Sequence, residues 1–290
     1  MTVLSLTQTC AARLQLQSPS VVVTSSDGNI KLLKAMMEQT AQELRNEYPW
    51  PVLQREYTFT LATNTASYAL PGDFDRFMME SLWNRTQTWP LLGPLDAVEW
   101  QHYKSGLITS FPDNRFRVKY WGIKQFFIDP TPTSDANGQT CAYEYITRSV
   151  FRPKTWAAST SFAASSYCSY DGNIYQTSAG GTTGSTAPTH TSGSTSDGGV
   201  TWTYISTAYE SIIADTDECL LDNQMIIDGT VWRYKRECGL DYQELRADAE
   251  KLIEIAKTKL SSAGILSISN ASKLPWMIGP WSYPEGNFGL

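Results

Sequence analysis

The 290-residue sequence is poor in charged residues, histidine and paired cysteine. Charged residues make up 18% of it, and its two histidines, His102 and His190, lie far apart. Its five cysteines are scattered without a Cys-x-x-Cys pair, which indicates reduced thiols made in a cytosol. Isolated histidines are poor material for Ser-His-Asp or Cys-His catalysis, and no Cys/His cluster has the spacing of metal ligands.

The sequence also lacks a basic excess, a long apolar run and an apolar leader. Lys and Arg total 23 against 29 Asp and Glu, a formal charge of −6, which argues against a dedicated DNA-binding protein. No uncharged apolar run reaches the roughly 18 residues of a membrane span, and the first residues do not resemble a secretory signal. With 41% hydrophobic residues, the chain is expected to fold.

Apolar residues at helical spacing predict helices near both ends of the chain. A first helix is expected over about residues 5–16, and the clearest stripe predicts a second over about 30–47, ending before Pro49. Toward the C-terminus, residues 215–218 are expected to open a helix that ends at 238–239. A further helix is predicted from Asp241, capped with Glu244, to Gly264.

Between these helices, alternating apolar and polar residues predict antiparallel strands. A short helix over 94–104 is expected to interrupt them. The predicted strands cover residues 57–62, 68–70, 77–84, 116–121, 124–128 and 141–147. The fold class is therefore α+β, with N- and C-terminal helices forming a helical domain beside a central antiparallel β domain.

The composition changes abruptly over residues 156–202. Of these 47 residues, 26 are Ser, Thr or Gly, and only Asp171 and Asp197 are charged. Aromatic residues recur along the run, which a linker does not need. Asp171-Gly-Asn173 predicts a hairpin turn within it. We therefore predict a small all-β module inserted at 155–205, with the core formed by residues 1–154 and 206–264.

Two carboxylate pairs and the C-terminal segment are the remaining candidates. The pairs Asp73/Asp75 and Asp215/Asp217 would suit a glycosidase, but a turn at Asp73 and a helix N-terminus at 215–217 explain them better. Residues 265–290 contain three prolines and are predicted to be an extended tail whose aromatic side chains need a partner surface. These docking candidates are Trp276, Trp281, Tyr283 and Phe288.

Several short motifs occur in one order along the chain. They are Tyr48-Pro-Trp50, Tyr68-Ala-Leu-Pro-Gly-Asp-Phe74, Leu82-Trp-Asn-Arg-Thr86, Pro90-Leu-Leu-Gly-Pro-Leu95, Glu99-Trp-Gln101, Tyr143-Glu-Tyr-Ile146, Ala214-Asp-Thr-Asp217, Gly229-Thr-Val-Trp-Arg233 and Gly239-Leu-Asp-Tyr242. Over residues 3–150 and 209–262 the sequence resembles the head-to-tail connector (adaptor) proteins of tailed bacteriophages.

This resemblance implies a non-enzymatic structural protein of the virion neck, made in the host cytoplasm and needing no cofactor. It implies a homo-oligomeric ring, twelvefold to match the portal protein, with a tail nozzle or tail-tube protein on its other face. Genomic DNA would pass through the channel without sequence-specific binding, and no membrane would be involved. The terminal helices and the 265–290 tail would be the assembly elements, and the tail aromatics would dock on the portal or on a neighbouring subunit.

The 155–205 module departs from that pattern. It is similar to the small β modules of phage structural proteins and, distantly, to chitin-binding modules. That similarity implies sugar stacking on Trp156, Tyr175 or Trp202, whereas the small size of the module favours these rings as its core. The alternative function is therefore a carbohydrate-binding or depolymerising phage tail protein that acts through this module.

Overall fold

The computed structural model describes residues 1–79, 81–104, 117–121, 125–206 and 211–260. Helices and antiparallel sheets both occur, so the predicted α+β class is confirmed. Among the described residues the α-helices are α1 (Val3–Arg13), α2 (Gly28–Glu47), α3 (Ala97–Lys104), α4 (Asn223–Glu237) and α5 (Gln243–Leu260).

The strands are short and fall into two groups. Those outside the Ser/Thr/Gly-rich region are β1 (Gln54–Thr60), β2 (Ser67–Ala69), β3 (Phe74–Phe77), β4 (Trp83–Asn84), β5 (Trp89–Pro90), β6 (Arg117–Trp121), β7 (Gln125–Asp129), β8 (Thr140–Thr147), β9 (Phe151–Arg152) and β16 (Glu218–Cys219). Those inside it are β10 (Ser161–Phe162), β11 (Tyr167–Tyr170), β12 (Asn173–Thr177), β13 (Gly181–Thr182), β14 (Ser194–Asp197) and β15 (Val200–Ser206).

Helix α4 is the centre of the helical part and contacts α1, α2 and α5. The helix predicted over 30–47 is present as α2, whose first turn is capped by the Asp27 side chain accepting from the Asn29 backbone N–H at 2.9 Å. At its other end the buried Trp50 ring donates its indole N–H to the Leu44 carbonyl at 2.6 Å. The aromatic residue thus closes α2 and fixes the corner into β1.

Helix α4 begins later than the sequence pattern predicts. Its N-cap is Asp222, which accepts a 2.7 Å bond from the Gln224 N–H, so residues 215–218 do not open the helix. The prediction was wrong because neither Asp215 nor Asp217 caps the first turn of α4: Asp215 accepts from the distant N–H groups of Val22 and Val23, and Asp217 accepts from those of Ile213 and Ala214, which precede it. Asp241 does bond to the N–H of Gln243 at the start of α5.

The β part is organised around β8. Strands β1, β3 and β4 all pair with it antiparallel, β5 extends the sheet from β4, and β2, β7 and β6 form a separate sheet. Aromatic rings fill the space between, with Phe126 and Tyr143 fully buried and 5.7 Å apart. The single strand predicted over 77–84 is wrong, because a turn in which Ser81 bonds to the Met78 carbonyl divides it into β3 and β4.

Residues 155–206 contain strands and turns without a helix, and they have their own buried cluster. The main sheet runs β11-β12-β15-β14. The predicted turn between β11 and β12 is present, with φ of 47° at Asp171 and 73° at Gly172, the left-handed values that a two-residue hairpin turn requires. On the core side of the module, β9 pairs with β16, so the chain returns beside the point where it left.

Candidate functional site

An open apolar cavity lies at the end of the β part away from α2. Here a cavity of about 350 Å³ opens between the β4–β5 hairpin and the segment after β7. Trp89, Pro90, Leu91, Pro130 and Ala136 form its apolar lining, and Asp135 stands among the lining residues; we call this the Trp89 groove. Trp89 is 45% exposed, so an aromatic ring faces solvent beside two prolines.

Polar side chains stabilise the frame of the Trp89 groove. The Asn84 amide donates to Gln139 Oε1 at 2.8 Å and accepts the Thr86 and Gln87 N–H groups at 3.1 Å each. Gln139 in turn donates to the Asp135 carbonyl at 3.0 Å. These bonds join β4 to the segment before β8, so the groove is preformed. The sequence analysis missed it, although Trp89-Pro90 between two turns is a signal for an exposed aromatic residue.

A second cavity, of about 180 Å³, lies between α2, α4 and α5. Arg233 reaches into it from α4, donating to the Gly229 carbonyl at 3.0 Å and to Thr40 Oγ1 at 3.2 Å. Its guanidinium also pairs with Glu43 and lies 4.2 Å from the centroid of the Trp232 ring. Arg233 is buried and bonded to these partners, so we interpret this cavity as part of the packing between the three helices.

The first carboxylate pair, Asp73/Asp75, has a structural role that goes beyond the predicted turn. The Pro71–Phe74 turn is present, and the buried Asp73 carboxylate accepts from the Tyr145 hydroxyl and from Thr147 Oγ1, both at 2.7 Å. Burial, together with the neighbouring Asp73 charge, raises the pKa of the Tyr145 phenol, which therefore stays protonated and donating. Asp75 forms ion pairs with Arg45 and Arg76 at the end of α2.

In the second carboxylate pair, Asp215 holds the N-terminal segment against the region before α4, and Asp217 bonds within that region. Asp215 Oδ1 accepts from the backbone N–H groups of Val22 and Val23, at 3.1 and 2.8 Å. The fully buried Asp217 accepts from the N–H groups of Ile213 and Ala214 at 2.9 and 3.0 Å. Burial raises the pKa of the Asp217 carboxyl above its ordinary value.

The three glycan-stacking candidates of the module differ in accessibility. Tyr175 and Trp202 are 0% exposed, so neither offers a ring face to a sugar, and the interpretation as core residues fits them. Trp156 is half-buried and donates its indole N–H to Asp197 Oδ2 at 2.9 Å. Only Trp156 keeps a ring partly open to solvent.

Asp197 connects the core of the module. It is 5% exposed, and besides Trp156 it accepts the Trp202 indole N–H at 3.3 Å and the Gly184 backbone N–H at 2.8 Å. A buried carboxylate with three donors is well satisfied. In a module without a disulfide, this arrangement ties β14 and β15 to the loop that carries Trp156.

The residues considered for catalysis or metal binding do not assemble in the part of the chain that the structure describes. His190 packs its ring 5.0 Å from the Tyr175 ring, and the His102 side chain lies outside the described residues. No group of three or more His, Cys, Asp or Glu within the described ranges could hold a metal ion.

Two further results concern the described residues and the predicted tail. None of the described helices is long and apolar enough to cross a membrane. The docking candidates Trp276, Trp281, Tyr283 and Phe288 lie outside the described residues, as do the last residues of the helix predicted to end at Gly264.

Sequence comparisons identify no relative. No family model matches the sequence, and no curated protein matches it at a significant level.

Proposed function

We propose that this chain is the head-to-tail adaptor subunit of a tailed-phage virion. In this proposal a ring of copies, twelvefold to match the portal protein, lies in the neck between the portal and the tail nozzle or tail tube. Each subunit contributes shape and contact surface, and it catalyses no reaction. The chain is made in the host cytoplasm and incorporated into the virion.

The proposal rests on a contact between two motifs of the resemblance. The Asp73 carboxylate of the motif that ends at Phe74 accepts from the Tyr145 hydroxyl of the Tyr143–Ile146 motif at 2.7 Å. Residues next to motifs extend this contact: Arg148 donates to the Gly72 carbonyl at 2.8 Å, and Arg45 of α2 donates to the Arg148 carbonyl at 2.9 Å. Two motifs far apart in sequence and their flanking residues thus form one junction between helices and sheet, as expected of residues that define a common fold.

The helical motif has a comparable physical role. At Gly229 a Cβ atom would lie 2.4 Å from Thr40 Cγ2, so a glycine is needed for α2 and α4 to approach this closely. Four residues later, one helical turn away, Arg233 bonds to Thr40 and to the Gly229 carbonyl. The Gly229–Arg233 motif therefore sets the packing of the helices that the proposal treats as assembly elements.

The surface and charge of the chain suit a ring around DNA. Ring closure needs two different surfaces of each subunit to meet, and the described chain presents exposed apolar side chains on both its β part (Met79 and Trp89) and α5 (Ile255). The formal charge of −6 suits a channel, because strong cationic contacts with phosphates would hold DNA that has to slide.

Mass photometry tests the proposal directly. The purified full chain is measured alone and with the portal protein encoded in the same genome. We expect a closed ring of about twelve copies, either alone or on the portal. A species that stays monomeric in both measurements would overturn the adaptor proposal.

The carbohydrate-binding alternative depends on the module and, after the burial of Tyr175 and Trp202, on Trp156. A glycan array probed with the full chain and with a variant lacking residues 155–205 separates the two functions. The adaptor proposal expects ring assembly to survive the deletion. Glycan binding that disappears with the module and with Trp156→Ala would instead favour the alternative.

A further inference from the structure

We propose that the Trp89 groove binds residues 275–288 of a neighbouring copy, an inference that rests on the ring proposed above. The contact would be heterologous, because the groove of one subunit meets the tail of the next. It assigns an occupant to this open apolar cavity and a binding surface to the aromatic residues of the tail. The sequence analysis left the partner of the tail open between the portal and a neighbouring subunit, and it did not identify the groove.

The lining of the Trp89 groove suits a proline- and aromatic-rich peptide. A half-exposed Trp89 beside Pro90 and Pro130 gives the flat aromatic and proline surface on which extended proline-rich segments dock. The frame bonds around Asn84 keep the groove open, so binding does not require rearrangement of the subunit. A preformed groove therefore favours a ligand with a limited number of conformations, such as a segment that contains three prolines.

The C-terminal segment has the matching composition. Residues 275–288 contain Pro275, Pro280 and Pro284 and the four aromatic residues named above. Large aromatic side chains dominate the energetics of small interfaces when they are buried. Four of them within 14 residues need a surface that covers them.

The length of the segment is enough to span a separation as long as β1. Helix α5 ends next to the end of α2, where Lys257 Nζ lies 2.7 Å from Glu47 Oε1. From that corner β1 runs toward the groove, a distance of about 20 Å at roughly 3.3 Å per residue. The 15 residues 261–275 could span up to about 50 Å when extended, which is more than the length of β1. A ring requires that different surfaces of adjacent copies meet, and a tail of this length could supply one such contact.

Charge also favours the pairing. Asp135 is an exposed acidic residue at the groove, and Lys273 is the only basic residue in 261–290, two positions before the proline-rich stretch. With the prolines and aromatic residues against the apolar lining, Lys273 would face Asp135 at the entrance to the groove. The salt bridge would fix the register of the segment in the groove, and two like charges at this position would weaken binding.

The first test measures peptide binding to full-length protein. The probe is a dye-labelled peptide of residues 270–290, and the protein is a full-length tail variant with Trp276→Ser and Trp281→Ser, whose groove is left open. We expect binding, weakened at least tenfold by adding Trp89→Ser. Met79→Ser, at a 70% exposed apolar residue outside the groove, is the matched control and should leave binding unchanged.

A charge exchange provides a second test that does not depend on the folding of the Trp89→Ser variant. Asp135→Lys should weaken binding of the peptide, and Lys273→Glu in the peptide should restore it. Peptide binding that ignores Trp89→Ser, or a charge reversal that the peptide change does not rescue, would overturn the groove as the site.

Mixing two full-length variants tests whether the contact joins neighbouring copies. The Trp89→Ser variant has an intact tail but a disrupted groove, and the Trp276→Ser, Trp281→Ser variant has the reverse. Neither can form the contact with another copy of itself, so each alone should remain monomeric without the portal. An equimolar mixture should form heterodimers, because one intact contact is then available. A mixture that stays monomeric would show that the groove does not bind the tail of another copy and would overturn the inference. If wild type fails to form rings while peptide and heterodimer form, the adaptor proposal fails and the groove–tail contact stands.

Discussion

Replacing Asp197 by Asn should unfold the inserted module while leaving the helical part folded. The carboxylate accepts three hydrogen bonds, two at Oδ2 from the Trp156 and Trp202 indoles and one at Oδ1 from the Gly184 N–H. An Asn side chain has one oxygen and one NH₂ group. Either orientation therefore leaves at least one of these donors facing another donor in a buried site.

The expected loss of stability follows from the number of hydrogen bonds that the substitution removes. Losing one bond to a charged group and leaving its donor unpaired costs about 3 kcal/mol or more. A module of about fifty residues has a total stability of only a few kcal/mol, at roughly 0.05–0.15 kcal/mol per residue. The substitution therefore removes most or all of the stability of the module.

Limited proteolysis with mass-spectrometric mapping measures this effect. Cleavage within 155–206 should accelerate strongly in Asp197→Asn, while fragments of the helical part persist. Asp171→Asn is the matched control, because Asp171 is exposed in the β11–β12 turn at a left-handed φ that Asn tolerates. Equal cleavage rates in the two variants would refute the account of Asp197.

Two further predictions concern the helical part. Gly229→Ala should lower the free energy of unfolding by about 1–3 kcal/mol, since its Cβ would force Thr40 and α2 away from α4. Urea unfolding measures this loss, and Gly28→Ala is the control, because the added Cβ there meets nothing within 4 Å. Equal losses in the two variants would contradict the explanation. Burial raises the pKa of the Asp217 carboxyl, so the folded state favours the protonated form. The free energy of unfolding of the wild type should therefore fall relative to that of Asp217→Asn as the pH rises above about 4. Parallel urea titrations from pH 4 to 7 check this, and a difference that stays constant or changes in the opposite direction would rule it out.

The helices and the main strands follow from local patterns. Apolar residues recur at helical spacing along α2 and alternate with polar residues along β1. The sequence of each element therefore shows which of its faces is buried. The Asp171-Gly172 turn was predictable for a similar reason, because left-handed φ values restrict the residue types.

Features that depend on distant residues could not be predicted. Asp215 and Asp217 resemble helix caps in sequence, but their acceptors serve backbone N–H groups that include those of Val22 and Val23. The pairing of β1 with β8 across more than 80 residues, and the Trp89 groove that forms where β5 meets the segment after β7, have no local signal. The candidate surface for assembly therefore required the structure, whereas the tail aromatics were visible in the sequence.

A three-dimensional reconstruction of the neck of purified virions tests the central claim most directly. The account predicts density for the helical and β parts of this chain in a ring that joins the portal to the tail, with the channel along the axis. Virions whose neck is fully occupied by other proteins, with no density that fits this fold, would contradict it.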